Sequence, residues 1–151
     1  MDSATIDTLR SSFSKIAASR PDVAAVFYQR LFEVAPSVRS LFRDDMTEQQ
    51  EKLTATLVTI VRIVDQPEKL ISIVSSLGQR HVSYGAKPEH YDVVGDCLLW
   101  TFEKVLGPEF TPQVKSAWAE AYGLVANTMR AAAASSTESA RTAATGGASP
   151  A

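Results

Sequence analysis

Apolar residues recur along most of this chain at the three- and four-residue steps of an α-helix. Ile6, Leu9, Phe13 and Ile16 give a first amphipathic helix of this kind. The same periodicity predicts further helical segments at residues 21–34, 36–42, 48–64, 67–81, 88–106 and 112–129. No segment shows the alternation of strands with hairpin turns. The pattern therefore predicts an all-α fold of about seven helices.

Capping residues and a glycine mark the ends of several of these segments. Ser19 is suited to cap the second helix, and Thr111 is suited to cap the last one. Thr47 is followed three residues later by Gln50, which is the pattern of a capping box. Gly85 is suited to stop a helix because glycine adopts positive φ without strain. These signals predict short connections between the helices.

Length and composition are those of one ordinary globular domain. The chain has 151 residues, of which 45% are hydrophobic and 21% are charged. From about residue 131 it becomes rich in alanine, serine and threonine and short of large apolar groups. This change predicts a folded domain over residues 1–133 and a disordered, low-complexity tail over residues 134–151.

Charge and hydropathy exclude several classes of partner. The net charge of −2 gives no general surface for nucleic acid. The longest apolar stretch, LTATLVTIVRIV, is too short to span a bilayer. The N-terminus has no basic start followed by an apolar run, so we expect no secretory signal. A single cysteine, Cys97, fits a reducing compartment, and we expect a cytoplasmic protein.

The stretch LGQRHVSYGAKPEHY holds both histidines of the chain. His81 stands where an apolar helix ends, and His90 follows a Gly and a Pro. Two readings of His81 are open: a ligand for something buried, or a structural residue, which is the commoner case for a lone histidine. The chain has no HExxH motif, no cysteine pair, no glycine-rich phosphate loop and no nucleophile motif. The residues alone do not decide between the two readings.

Four stretches in their order and spacing resemble bacterial single-domain globins and the globin part of flavohaemoglobins. They are VFYQRLFEVAPSVRSLF, QQEKL, LGQRHVSYGAKPEHYDVVGDCLLW and AWAEAYGLVANTM, and the resemblance covers roughly Ile6 to Met129. It implies a globin fold around a haem pocket, with haem b and its iron as the cofactor. It also favours the interpretation of His81 as a ligand over that of a structural residue.

The resemblance assigns a role to three residues around the expected haem. His81 matches the proximal histidine, the axial ligand of the iron. Phe42 matches the phenylalanine that packs on the haem face. Tyr28 matches the tyrosine whose hydroxyl points into the distal pocket. We therefore expect His81 to bind the iron and Tyr28 to face the gaseous ligand.

A glutamine is expected as the second distal donor. Counting back 32 residues from His81 without a gap gives Gln49, and a shift of one residue would give Gln50 instead. Leu53 would be the apolar neighbour, one helical turn from Gln49 on the same face. Gln49 is favoured, with Gln50 as the alternative.

The proximal side departs from the flavohaemoglobin pattern. Tyr91 matches the tyrosine that, with a glutamate of the last helix, surrounds the proximal histidine by hydrogen bonds. The matching position in the last helix is Ala133, so the carboxylate is missing. His90 and Cys97 match no known role and are expected at the surface and in the core, respectively. Three more positions match apolar residues that line the haem: Val94, Leu98 and Trp118.

The function that the resemblance implies is reversible binding of O₂ at ferrous iron, for oxygen binding, transport or scavenging. Two distal donors, each contributing about 1 kcal/mol, predict tight binding and slow release. NO and CO are further expected ligands. The alternative is nitric oxide dioxygenation, and thus detoxification, with an external reductase, because the sequence ends before any flavin or nicotinamide domain. A third hypothesis is that the protein is a gas-sensing or interaction module.

Overall fold

The computed structural model describes the backbone of residues 1–148 and the side chains of residues 1–135. Over that range the chain is helical and contains no strand. Two short 3₁₀-helices lie at Pro36–Leu41 and Gly107–Glu109. The α-helices are α1 (Ser3–Ser19), α2 (Val23–Val34), α3 (Thr47–Ile63), α4 (Pro67–Ser83), α5 (His90–Leu106) and α6 (Pro112–Ala148). The prediction of an all-α fold is confirmed.

Two predicted caps are wrong. Ser19 is the last residue of α1, and α2 begins only at Val23, after a turn in which Arg20 and Asp22 pair at 2.8 and 2.9 Å. Thr47 is already the first residue of α3, and the capping box with Gln50 does not form. The carboxylate of Asp45 instead accepts a hydrogen bond from the backbone N–H of Thr47 at 3.0 Å. Asp45 thus replaces Thr47 as the acceptor at the start of α3, whereas the Asp22 side chain makes no capping hydrogen bond to α2.

Other predicted helix boundaries are confirmed. The hydroxyl oxygen of Thr111 accepts a hydrogen bond from the backbone N–H of Val114 at 3.3 Å, as expected of a cap for α6. Gly85 has a φ of +87° directly after α4. An L side chain would be strained there, so glycine lets the chain turn away from the end of α4.

The interior consists of two apolar clusters. The main core lies between α1, α4, α5 and α6 and includes Leu9, Ile16, Val74 and Phe102, all at most 1% exposed. The second cluster joins α2 to α5 and will be called the α2–α5 cluster. Its buried members are Phe27, Tyr28, Leu31, Val38 and Cys97. Cys97 is 2% exposed, in agreement with the expectation of a core residue.

Helices α4 and α6 approach each other very closely at Gly78. A Cβ atom at this position would lie 2.6 Å from the carbonyl oxygen of Met129. Only glycine permits such contact between the two backbones. Gly78 therefore fixes the position of α4 against α6 one turn before His81.

The backbone of α6 continues to Ala148. For the tail predicted from residue 134, side chains are described only to residue 135. The division into a domain at 1–133 and a tail at 134–151 stays a prediction. Within the part of the chain that the structure describes, none of the helices combines the length and hydropathy needed to cross a membrane.

Candidate functional site

Tyr28 stands on α2, surrounded by aromatic rings. Its side chain is buried and meets Phe27 and Phe42 edge-on, with ring centroids 5.0 and 5.5 Å apart. Phe32 stacks against it at 6.0 Å. Burial raises the pKa of the Tyr28 phenol, although the hydrogen bond with Gln49 opposes that shift. The hydroxyl therefore keeps its proton at neutral pH and can donate it.

Gln49 reaches Tyr28 from the first turn of α3. Its Nε2 donates a hydrogen bond of 3.0 Å to the phenolic oxygen of Tyr28. The side chain of Gln50 makes no hydrogen bond to any of residues 1–135, and its carbonyl accepts from Thr54. Leu53, one turn beyond Gln49, packs against the α2–α5 cluster. Since the Tyr28 oxygen accepts this bond, its own proton is left for another acceptor.

Phe42 follows the first 3₁₀-helix and packs against Phe32 and Tyr28. A cavity of about 80 Å³ lies beside it. His90 also borders this cavity and is half-buried, so it lies at the surface with one side against the cavity. Its Nδ1 accepts a hydrogen bond from the backbone N–H of Lys87 at 3.0 Å, which turns the ring back towards the chain. The other lining residues are Leu31, Val38, Leu41, Ala86 and Val93.

His81 lies in the last turn of α4 and is half-buried. Its Nδ1 is 2.7 Å from the carbonyl oxygen of Leu77, one turn earlier. A carbonyl only accepts, so Nδ1 carries the proton and Nε2 carries the lone pair. Burial lowers the pKa of the imidazole against the opposing effect of the Leu77 bond, and this favours the neutral ring. Tyr84 packs edge-on against the ring at 5.5 Å. A neutral imidazole with a free lone pair on Nε2 is the form in which a histidine binds a metal.

Tyr91 lies in the main core beneath α6. The hydroxyl of Tyr122 donates a hydrogen bond of 2.6 Å to the Tyr91 carbonyl. The guanidinium of Arg130 lies 5.2 Å from the centre of the Tyr91 ring and is held by Asp92 at 2.8 Å. Within the described part of the chain the Tyr91 hydroxyl makes no hydrogen bond to His81. Ala133, half-buried on α6, brings no carboxylate, and the charge that lies over the Tyr91 ring is the cation of Arg130.

Val94 and Leu98 pack against the α2–α5 cluster, on the side of Tyr28. Trp118 lies elsewhere, in the main core. Its ring centre is 4.6 Å from that of Phe102, and its Nε1 donates a hydrogen bond of 2.9 Å to the hydroxyl of Ser12. The structure thus brings most of the candidate residues together near Tyr28, whereas Tyr91 and Trp118 lie in the main core and His81 lies in the last turn of α4.

The comparisons with known proteins identify the family. A model of the globin family matches residues 25–129. The chain is 31% identical over 130 residues to a flavohaemoprotein of Bacillus subtilis, covering 84% of this chain and 33% of that protein. It is 33% identical over 125 residues to an uncharacterised globin-like protein of Aquifex aeolicus, covering 83% of this chain and 88% of that one. The chain belongs to the globin family.

Solved structures agree with this family. An engineered carbene transferase of Rhodothermus marinus superimposes with a TM-score of 0.79 at 27% identity, over 95% of this chain and 99% of that one. A bacterial globin of Campylobacter jejuni has the same fold, with a TM-score of 0.79 at 24% identity over 91% and 99% of the two chains. The prediction of a globin fold is confirmed. The chain spans about a third of the length of the flavohaemoproteins it matches.

A haem-binding role follows from membership of this family, in which a proximal histidine holds the iron. The metal-binding side chains of this protein are compatible with haem. Among the described residues no group of three or more His, Cys, Asp or Glu side chains could hold a metal by itself. A single neutral imidazole is suited to a metal whose other ligands come from a macrocycle, and apolar and aromatic side chains are suited to its faces.

Arg39 is the residue of this region that sequence reasoning missed. It stands in the first 3₁₀-helix, and its guanidinium lies against Phe32 and the connection to α3. An arginine three positions before an aromatic residue is not a specific signal, because arginine is common in solvated positions.

Proposed function

We propose that this globin binds haem b through Nε2 of His81 and takes O₂ reversibly in the ferrous state. Haem, when bound, supplies an iron with one open site for a diatomic gas such as O₂, NO or CO. The observation that carries the proposal is the bond between His81 Nδ1 and the Leu77 carbonyl. It holds the imidazole in the tautomer and orientation that leave Nε2 ready to bind.

On the distal side, Tyr28 acts as a hydrogen-bond donor to the gas. Its oxygen already accepts from Gln49, so the hydroxyl proton is available, and burial among aromatic rings keeps competing water away. Gln49 orients the hydroxyl from α3 and has a second N–H that can also serve the gas. Each such donor stabilises a polar ligand by about 1 kcal/mol. Tight binding and slow release favour scavenging over bulk delivery.

The experiment for this proposal is a set of absorption spectra of the purified protein in its ferric, ferrous and O₂-exposed forms. A Soret band and a stable spectrum under O₂ support the proposal. A protein that takes up no haem from an equimolar solution contradicts haem binding. A ferrous form that oxidises at once in O₂ contradicts reversible O₂ binding and leaves haem binding intact.

Nitric oxide dioxygenation is the second candidate function. It is favoured by the flavohaemoprotein relatives and by the Rhodothermus marinus protein, which derives from one classed provisionally as a nitric oxide dioxygenase. Tyr28 and Gln49 would orient the reacting gas, and a separate reductase would return the iron to the ferrous state. NO consumption measured with and without an added flavin reductase distinguishes an enzyme from a carrier.

The proposed location is the cytoplasm, where the buried free Cys97 stays reduced.

A further inference from the structure

Arg39 binds the connection between the first 3₁₀-helix and α3 through three carbonyl groups. Its Nη1 lies 2.9 Å from the carbonyl oxygen of Arg43 and 3.4 Å from that of Phe42. Its Nη2 lies 3.1 Å from the carbonyl oxygen of Asp44. The planar guanidinium can serve several acceptors at once, which an ammonium on a flexible stem does less well. One side chain therefore holds most of residues 42–46 in place.

The same guanidinium lies over the aromatic rings around Tyr28. Its central carbon is 5.0 Å from the centre of the Phe32 ring. Phe32 contacts both Tyr28 and Phe42. Arg39 thus connects the position of the loop to the packing of the α2–α5 cluster.

The start of α3 depends on this loop. Met46 caps α3 without a side-chain hydrogen bond, and the Asp45 carboxylate accepts a hydrogen bond from the Thr47 N–H at the helix start. Gln49 stands in this first turn, and helix ends fray easily. The bond from Gln49 to Tyr28 can persist only if residues 42–46 hold the first turn of α3 at the right distance from α2.

We propose that Arg39 is a positioning residue for the gas site: it holds the connection 42–46, and through it the orientation of Phe42 and the Gln49–Tyr28 hydrogen bond. This inference rests on the proposed function for its meaning, because Tyr28 and Gln49 matter there as distal groups. Arg39 itself touches neither cofactor nor ligand in this role. A merely structural arginine would stabilise the fold without affecting the distal hydrogen bond.

The test compares Arg39→Met and Arg39→Lys with the control Arg43→Met. Arg43 stands in the same loop, is exposed, and its side chain forms no ion pair within residues 1–135. Arg39→Met removes the guanidinium and keeps most of the apolar stem. Arg39→Lys keeps the charge and loses the fork, so it guards against a variant that fails to fold.

The first measurement is amide hydrogen exchange of the cofactor-free chain. We expect exchange at residues 42–50 to rise by about tenfold or more in Arg39→Met, less in Arg39→Lys, and not at all in Arg43→Met. Exchange in α5 should stay unchanged. Equal rates at residues 42–50 in wild type and Arg39→Met would overturn the inference. The exchange measurement tests the role of Arg39 in the loop even if the chain binds no haem.

The second measurement uses the haem-loaded protein with CO as the probe. The C–O stretching frequency reports hydrogen bonding at the distal side, and global stability does not move it. We expect Arg39→Met to shift this frequency in the same direction as Tyr28→Phe, with Arg39→Lys between them and Arg43→Met at the wild-type value. A wild-type frequency in Arg39→Met, together with a lower melting temperature, would reduce Arg39 to a structural role.

Discussion

The side-chain amide of Gln49 donates its hydrogen bond to the phenolic oxygen of Tyr28, and not the reverse. The two residues stand on different helices, so the bond joins α2 to the first turn of α3. Because the tyrosine oxygen is occupied as an acceptor, its proton can be given only to a third group. Any polar ligand beside Tyr28 would meet a donor that Gln49 has already oriented.

Tyr28→Phe should therefore speed O₂ release by about tenfold or more, which corresponds to the loss of one hydrogen bond of about 1.4 kcal/mol. The substitution removes a hydroxyl and almost no volume, so the aromatic packing should survive. Stopped-flow dissociation rates measure the effect. An unchanged rate in Tyr28→Phe would mean that the hydroxyl does not face the gas.

Gln49→Leu should change the O₂ dissociation rate less than Tyr28→Phe does, because Tyr28 keeps its own proton without Gln49. Fixing the torsions of a glutamine also costs up to about 1.5–2 kcal/mol, which reduces its net contribution. Gln50→Leu should leave the rate almost unchanged. A larger effect of Gln50→Leu than of Gln49→Leu would show that Gln50 is the distal residue.

His81→Ala should lose haem or bind it weakly, because no other imidazole can replace the neutral ring that Leu77 orients. The absorption spectrum after titration with haem is the measurement. His90→Ala is the matched control, since it removes the only other histidine of the chain and should keep a normal spectrum. Full haem retention with an unchanged spectrum in His81→Ala would refute the assignment.

Ala133→Glu should strengthen the bond between His81 and the iron. A carboxylate near the proximal imidazole makes it a more basic ligand. The iron–histidine stretching frequency, measured by resonance Raman spectroscopy, should rise in this variant. Ala133→Gln is the control, because it has a similar shape and no charge. No change would mean either that Ala133 does not face His81 or that Arg130 neutralises the added carboxylate.

The start of α3 should be sensitive to acid. The N–H of Thr47 donates to the Asp45 carboxylate and holds its pKa below the ordinary value of 3.8. A folded pKa below the unfolded one means that this stabilisation is present above about pH 3.8 and is lost as the pH falls through the folded pKa. The protection factors of the amides of residues 47–50, which are corrected for the chemical exchange rate at each pH, should therefore fall below pH 3.8. Asp45→Asn keeps an acceptor without a titrating group, and its protection factors should lack this fall.

Gly78→Ala should lower the free energy of unfolding by about 1–3 kcal/mol, because the new methyl group would force α4 and α6 apart. Gly123→Ala is the control, since a Cβ atom there meets nothing within 4 Å. It should raise the free energy of unfolding by up to about 1 kcal/mol, as expected for alanine inside a helix. Urea unfolding followed by circular dichroism measures both. Equal stability of Gly78→Ala and wild type would show that the two helices separate at no cost.

The helices of this protein were predictable because burial of one helix face leaves a periodic signal within a single segment. Caps were harder, since Asp45 and Thr47 both offer an acceptor within two residues, and only geometry decides between them. The bond between Trp118 and Ser12 joins residues far apart in sequence, and no local pattern could indicate it. Arg39 was missed for a different reason, because its role depends on nearby carbonyl groups, which every residue has.

The candidate site came from the family resemblance and not from the residue pattern. Periodicity alone would leave Tyr28 an ordinary aromatic residue and Gln49 a solvated glutamine in a first turn. Their hydrogen bond depends on how α2 crosses α3, which the pattern of either helix does not contain. His81 is similar, because the tautomer that suits a ligand follows from a backbone carbonyl one turn away.

Leu98 packs against both the main core and the α2–α5 cluster. Because Leu98 contacts both clusters, unfolding of one cluster removes part of the packing of the other. The region around Tyr28 and the core beneath α6 should then lose their structure in one cooperative transition. Truncation of Leu98 to alanine should weaken this coupling and broaden the thermal transition. Leu98 is thus one of the links, beside α5 itself with Cys97 and Phe102, that make this globin a single thermodynamic unit.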